Sequence, residues 1–154
     1  MPSSPRDEIQ MILHSFREVN RAIYSLLREE ADVLNLTPVQ MMVIHALAKM
    51  PNIGLGELAK QLQLGMSTTS GVVERLVGAG LIVRERSTAD RRLLTMRLTK
   101  EGEKKNNEAF QDDSILMKRL MRIAEINPSD LNHLYETHKK ILEKLQLEGE
   151  ETTP

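Results

Sequence analysis

The chain contains no cysteine. That excludes disulfides, thiolate metal sites, thiol nucleophiles and cysteine-based redox sensing together. It has no tryptophan, two tyrosines and two phenylalanines, too few rings to stack successive bases of a nucleic-acid single strand. No run of about 18 apolar residues exists, so no membrane span is expected. The opening MPSSPRDEIQ lacks the basic-then-apolar order of a signal peptide, and the expected location is the cytoplasm. The apolar complement is Leu, Ile, Val and nine methionines, a pliable set for a core or a pocket. A length of 154 residues fits one domain or a small domain with helical extensions. Charged residues at 28% against apolar residues at 40% give a globular balance.

Charge is unevenly placed. Residues 84–105 hold eight basic and four acidic side chains, a local +4 in a chain of formal charge −1, which leaves −5 for the rest. A basic patch on an acidic body can dock on phosphate while the body resists nonspecific adhesion; a solvated charged face has the same composition.

Apolar periodicity organises the chain into helices and one hairpin. Ile9, Ile12, Leu13, Phe16, Val19, Ile23, Leu26 and Leu27 recur near 3.6 residues and predict a long amphipathic helix over residues 7–31. Thr37-Pro38-Val39-Gln40 is a helix start: Thr37 can cap, Pro38 suits the first position and Gln40 can complete a capping box. That helix should end before Pro51. Two short helices follow, over residues 54–62 and 67–78, joined by a turn containing Gly65. Ser67 is the expected cap of the second, and Gly78 and Gly80 end it. Two helices so joined are the outline of a helix-turn-helix. Residues 82–98 then alternate as a β-hairpin with a polar, basic tip. A second long helix is expected from Thr99 to Ile126, and a last one after Asn127-Pro128.

Catalytic and metal-binding patterns do not stand out. Gly54, Gly56 and Gly65 do not match a nucleotide loop, and no nucleophile–base or paired-carboxylate spacing is evident, so no enzyme and no cofactor is expected. His133 and His138 lie five residues apart, on different helix faces, and with His14 and His45 they form no metal-ligand pattern.

Three segments, residues 9–27, 115–126 and 131–145, carry broad apolar stripes that a compact unit over residues 38–98 is too small to cover. Uncovered stripes of this size point to self-association, most simply a two-fold homodimer.

Six motifs in order resemble one family. They are Leu36-Thr37-Pro38-Val39-Gln40; Glu57-Leu58-Ala59 with Leu62; Val73-Glu74-Arg75-Leu76; Gly80-Leu81-Ile82-Val83-Arg84; Asp90-Arg91-Arg92; and Leu98-Thr99-Lys100-Glu101-Gly102. Together they are similar to the multiple-antibiotic-resistance regulator (MarR) family. The resemblance implies a mainly α fold with a small β-hairpin wing, a winged helix-turn-helix flanked by long N- and C-terminal dimerisation helices. It divides the chain into a dimerisation helix (residues 1–35), a DNA-binding domain (36–100, with recognition helix 67–78 and wing 82–98), C-terminal dimerisation helices (101–148) and a frayed tail (149–154). It implies a dimeric regulator of pseudo-palindromic double-stranded DNA, usually a repressor, released by a small lipophilic or phenolic effector. An architectural or accessory DNA-binding protein without ligand control is the alternative.

Within that frame the contacts can be named. A helix N-terminus offers free N–H groups and partial positive charge to phosphate, and Ser67, Thr68, Thr69 and Ser70 sit in its first turn with hydroxyls for phosphates or base edges. Arg75 can reach a phosphate or guanine, or pair with Glu74. By resemblance, Arg91 enters the minor groove, while Arg92 and Asp90 set wing geometry; Arg86 adds positive charge. Gly71 departs from the family, which often has a longer, basic residue there. An effector pocket would be lined by Phe16, Met41, Met42 and His45, residues equally suited to ordinary core.

Overall fold

A computed structural model describes residues 4–146; the tail expected to fray, residues 149–154, lies outside the described residues. The chain is mainly helical with one antiparallel hairpin, in the order α1 (Pro5–Val33), α2 (Pro38–Lys49), α3 (Leu55–Leu62), α4 (Met66–Gly78), β1 (Ile82–Arg86), β2 (Leu94–Leu98), α5 (Lys100–Phe110), α6 (Ile115–Met121), a 3₁₀ turn (Arg122–Glu125) and α7 (Pro128–Leu145). No single helix among the described residues is long and apolar enough to cross a membrane.

Local chemistry starts the helices. Ser4 and Asp7 form a reciprocal capping box at α1. At α2, the Gln40 N–H donates to Thr37 Oγ1 at 3.2 Å and the Thr37 N–H to Gln40 Oε1 at 2.9 Å, with Pro38 at the first position. Each such box satisfies two donors that the helix itself leaves unpaired. α4 begins one residue earlier than its sequence indicates. Gly65, not Ser67, is its N-cap, and no side chain caps it. α4 ends in a left-handed turn: Gly80 has φ +74°, and the Leu81 N–H reaches back to Leu76 O at 2.9 Å.

The expected single helix from Thr99 to Ile126 is broken. Gln111 adopts an extended backbone at the end of α5, and Ser114 Oγ accepts the Met117 N–H at 3.1 Å as α6 begins. Asp and Ser favour such local bonds over helix interiors, so Asp112-Asp113-Ser114 interrupts the helix. The chain forms two compact units, one up to Lys118 and one from Arg119 onward, with the boundary inside α6.

In the first unit, Val43, Ile44, Leu47, Leu58, Val72, Val73, Leu76, Leu81, Ile82, Met96 and Leu98 form one continuous core beneath α2, α3, α4 and the hairpin. The hairpin pairs Ile82 with Leu98 and Arg86 with Leu94 at its two ends. An isolated bridge joins its edge: the Asn52 N–H donates to Met96 O and the Met96 N–H to Ile53 O, both at 2.9 Å. α5 then packs against α2, and Lys105 Nζ donates to Leu34 O at 2.8 Å, placing a cation on an unpaired carbonyl beyond the C-terminus of α1. Glu30 is 4% exposed, and its Oε2 accepts the buried N–H of Leu116 at 3.1 Å.

The second unit is α7 with the turn before it. Asn127 Oδ1 accepts the Ser129 N–H at 2.8 Å, with Pro128 at the first position. Leu134, Tyr135, Leu142 and Leu145 on α7 are exposed, as are Ile9, Ile12, Leu13 and Val19 on α1.

Candidate nucleic-acid interface

α4 turns a sharply divided surface outward. Thr69, Val72, Val73 and Leu76 are buried, a spacing of three and four that marks the inward stripe. Thr69 is therefore not available as a contact residue. It is 0% exposed, and its Oγ1 donates to Gly65 O at 2.9 Å. Ser67 and Thr68 are exposed in the first turn, beside a helix start that no side chain caps. There the free N–H groups and the helix dipole favour an anion. Ser70 is half-buried and lines a 170 Å³ cleft with Leu55, Glu74, Arg84, Leu94 and Met96. The cleft joins the outer side of α4 to the base of the hairpin.

The hairpin tip is built by its own side chains. Ser87 Oγ accepts the N–H groups of Ala89 and Asp90 at 3.2 and 3.3 Å. Asp90 Oδ1 accepts the Arg92 N–H at 3.0 Å. Arg86 Nη1 donates to Arg91 O at 2.9 Å. Arg86, expected among the contact residues, braces through this one nitrogen the tip from which the exposed Arg91 and Arg92 side chains project.

Bonding also sorts the remaining basic residues. Arg97 donates through Nε to Glu85 Oε2 at 3.1 Å, and through Nη2 to the other carboxylate oxygen. This pairing holds the Glu85 carboxyl below, and the Arg97 guanidinium above, its ordinary value. Lys105 faces inward to Leu34. The side chains of Arg75, Arg84, Arg91 and Arg92 make no hydrogen bond or ion pair among the described residues and are exposed. Four unpaired guanidiniums thus lie on one helix and one hairpin, and Arg84 lines the cleft that joins the two elements. Sequence reasoning could not separate these four arginines from Arg97 and Lys105, because pairing depends on strand register and on where α5 docks.

The four residues expected to line an effector pocket differ in burial. Met41 is a core side chain, 1% exposed. Met42 and Phe16 are half-buried. The ring partner of His45 is Phe110 of α5, with centroids 3.8 Å apart, and His45 Nδ1 lies 3.1 Å from Asn106 Oδ1. Burial pushes the imidazole below its ordinary value, the bond to Asn106 works against that shift, and the charge on Lys49 adds to it.

Comparison with known proteins gives this geometry a context. Residues 36–94, from the approach to α2 into β2, match the MarR family. The chain is 28% identical over 148 residues to the uncharacterised HTH-type transcriptional regulator YsmB of Bacillus subtilis, covering 96% of this chain and 97% of that one. It is 29% identical over 93 residues to the HTH-type transcriptional repressor MdtR of the same organism, covering 60% of each. Its fold is similar to that of a mutant MarR from Escherichia coli complexed with operator DNA, with a TM-score of 0.74 at 24% identity over 91% of this chain and 99% of that chain. Residues 36–94 thus match the MarR family of transcriptional regulators, and the near full-length relative and the shared winged-helix fold make the chain as a whole similar to proteins of that kind.

Proposed function

We propose that this protein is a homodimeric, cytoplasmic, sequence-specific repressor of pseudo-palindromic double-stranded DNA, released by a small lipophilic or phenolic effector. The observation that carries the reading is the set of unpaired guanidiniums, Arg75 on α4 and Arg84, Arg91 and Arg92 on the hairpin, beside the uncapped start of α4 with exposed Ser67 and Thr68. α4 would enter the major groove, where its first turn meets phosphate and base edges. Arg91 would reach the adjacent minor groove, whose potential favours a guanidinium when narrow. The exposed apolar residues of α1 and α7 support self-association, and a two-fold dimer would read half-sites about ten base pairs apart. Release requires an effector that prefers a spacing of the two α4 helices unsuited to DNA.

Selection from a randomised duplex pool, with a salt titration of the winning sequence, tests this reading. A two-fold symmetric site that weakens steeply with salt and is lost in Arg91→Ala supports it. Retention of DNA without sequence enrichment supports an architectural role instead. No retention by ligand-free, refolded protein refutes DNA binding by this chain.

A further inference from the structure

The outer side of α4 holds an acid that packing does not explain. Glu74 is the sole acidic residue of the helix. At about 100° per residue it lies opposite the buried stripe of Thr69, Val72, Val73 and Leu76. It is exposed and has no hydrogen bond or ion pair among the described residues. Arg84 lines the same cleft without closing an ion pair to it. Gly71 and Gly78 share this side of α4, and a Cβ at either would meet nothing within 4 Å. The carboxylate therefore has no longer side chain beside it on that face.

We propose that Glu74 determines sequence specificity by accepting a hydrogen bond from the N4 amino group of cytosine in the major groove. The inference rests on the reading of α4 as the groove-entering helix. An ionised carboxylate only accepts hydrogen bonds, and phosphates repel it. Close to a duplex it is tolerated where a donor meets it. The major groove offers two donors, cytosine N4 and adenine N6, and adenine sets its N7 acceptor beside N6, against the second carboxylate oxygen. Guanine and thymine present acceptors at that edge, so Glu74 rejects them by repulsion as well as by a missing bond. Arg84, on the hairpin side of the cleft, offsets the added negative charge without consuming the carboxylate.

The test compares sequences selected from a randomised duplex pool by the wild-type dimer and by Glu74→Ala, Glu74→Gln and Glu74→Asp, each first checked by thermal melting. The wild type should fix one column of each half-site as cytosine. Glu74→Ala should flatten that column, losing about tenfold discrimination or more, and leave the others unchanged. Glu74→Gln should move it toward adenine, which a carboxamide can meet at N6 and N7 together. Glu74→Asp should retain cytosine with weaker preference. At low salt both neutral variants should bind random duplex more tightly than wild type. An identical consensus in all four proteins, or an equal loss across all columns, overturns the role of Glu74 while leaving DNA binding intact. Failure of the wild type to bind or to enrich any sequence overturns the reading beneath it.

Discussion

Two glycines in helices of the same unit should respond to alanine in opposite directions. Gly102 is the third residue of α5, and its N–H donates to Thr99 Oγ1 at 3.1 Å. A Cβ there would lie 2.1 Å from Leu81 O, 3.1 Å from Leu81 C and 3.3 Å from Leu98 Cβ. The obstruction is backbone, and Leu81 O also accepts the Thr99 N–H at 3.0 Å, so moving aside strains a second bond. Overpacking of this kind costs about 1–3 kcal/mol and a weakened hydrogen bond about 1 kcal/mol; the helix-propensity gain from alanine returns about 1 kcal/mol. The net expectation for Gly102→Ala is a loss of about 2 kcal/mol. For a chain of this size that is a fall in Tm of about 4–8 °C. Gly71, in the middle of α4 with open space around its Cβ position, has no such obstruction. Gly71→Ala should gain about 0.5–1 kcal/mol. Far-UV circular dichroism melts and urea titrations at one fixed protein concentration measure both. A Gly102→Ala protein as stable as wild type, or a Gly71→Ala protein less stable, would refute the packing described around α5 and α4.

Further consequences can be measured on the same preparations. His45 is held below its ordinary value, about 6.5, chiefly by burial. The unfolded chain therefore binds its proton at higher pH than the folded one. The stabilisation is fully present above about pH 6.5 and is lost as pH falls through the lower folded value; urea midpoints at pH 7.5 and 5.5 should differ in that sense, and less so in His45→Gln. Glu30→Ala leaves the buried Leu116 N–H without its acceptor and should lose about 1–3 kcal/mol, whereas Glu30→Gln, which keeps an oxygen there, should lose less by the same urea titration. Arg86→Ala removes the brace on Arg91 O; it should lower DNA affinity while leaving the selected sequence unchanged, as read by anisotropy on matched and mismatched duplexes. Arg91→Ala should lower the slope of log affinity against log salt by about two per dimer where each copy engages phosphate charge.

Much of the fold was legible because its signals are local. Thr37, Pro38 and Gln40 specify the start of α2 within four residues, and both predicted bonds form. The alternation through Leu94, Met96 and Leu98 gives the hairpin, and Gly80 gives the turn before it. The break between α5 and α6 was hidden because a polar run such as Asp112-Asp113-Ser114 reads equally as a solvated helix face and as a cap. The bridge at Ile53 was hidden because two residues carry no period. Ser67 was a reasonable cap by residue type, but capping depends on backbone geometry, and the chain turns at Gly65 instead. Thr69 could have been withdrawn from the contact set by spacing alone, since it falls in register with Val72, Val73 and Leu76. Register decided Arg97: Glu85 reaches it diagonally across the hairpin, since Arg97 itself pairs with Val83. Docking decided Lys105 and His45, whose partners lie 71 and 61 residues away in the chain.

The bond that Thr99 makes has a mechanical meaning. Its hydroxyl donates to Gly80 O at 2.6 Å while accepting the Gly102 N–H, and Leu81 O sits against Gly102 with no room for a methyl group. The loop leaving α4, the end of β2 and the first turn of α5 are riveted at one point. α5 is thus the handle of a crank whose arm is the hairpin. Any rotation of α5 about this point must carry with it the end of β2 and the core side chains Ile82, Met96 and Leu98 that the hairpin contributes.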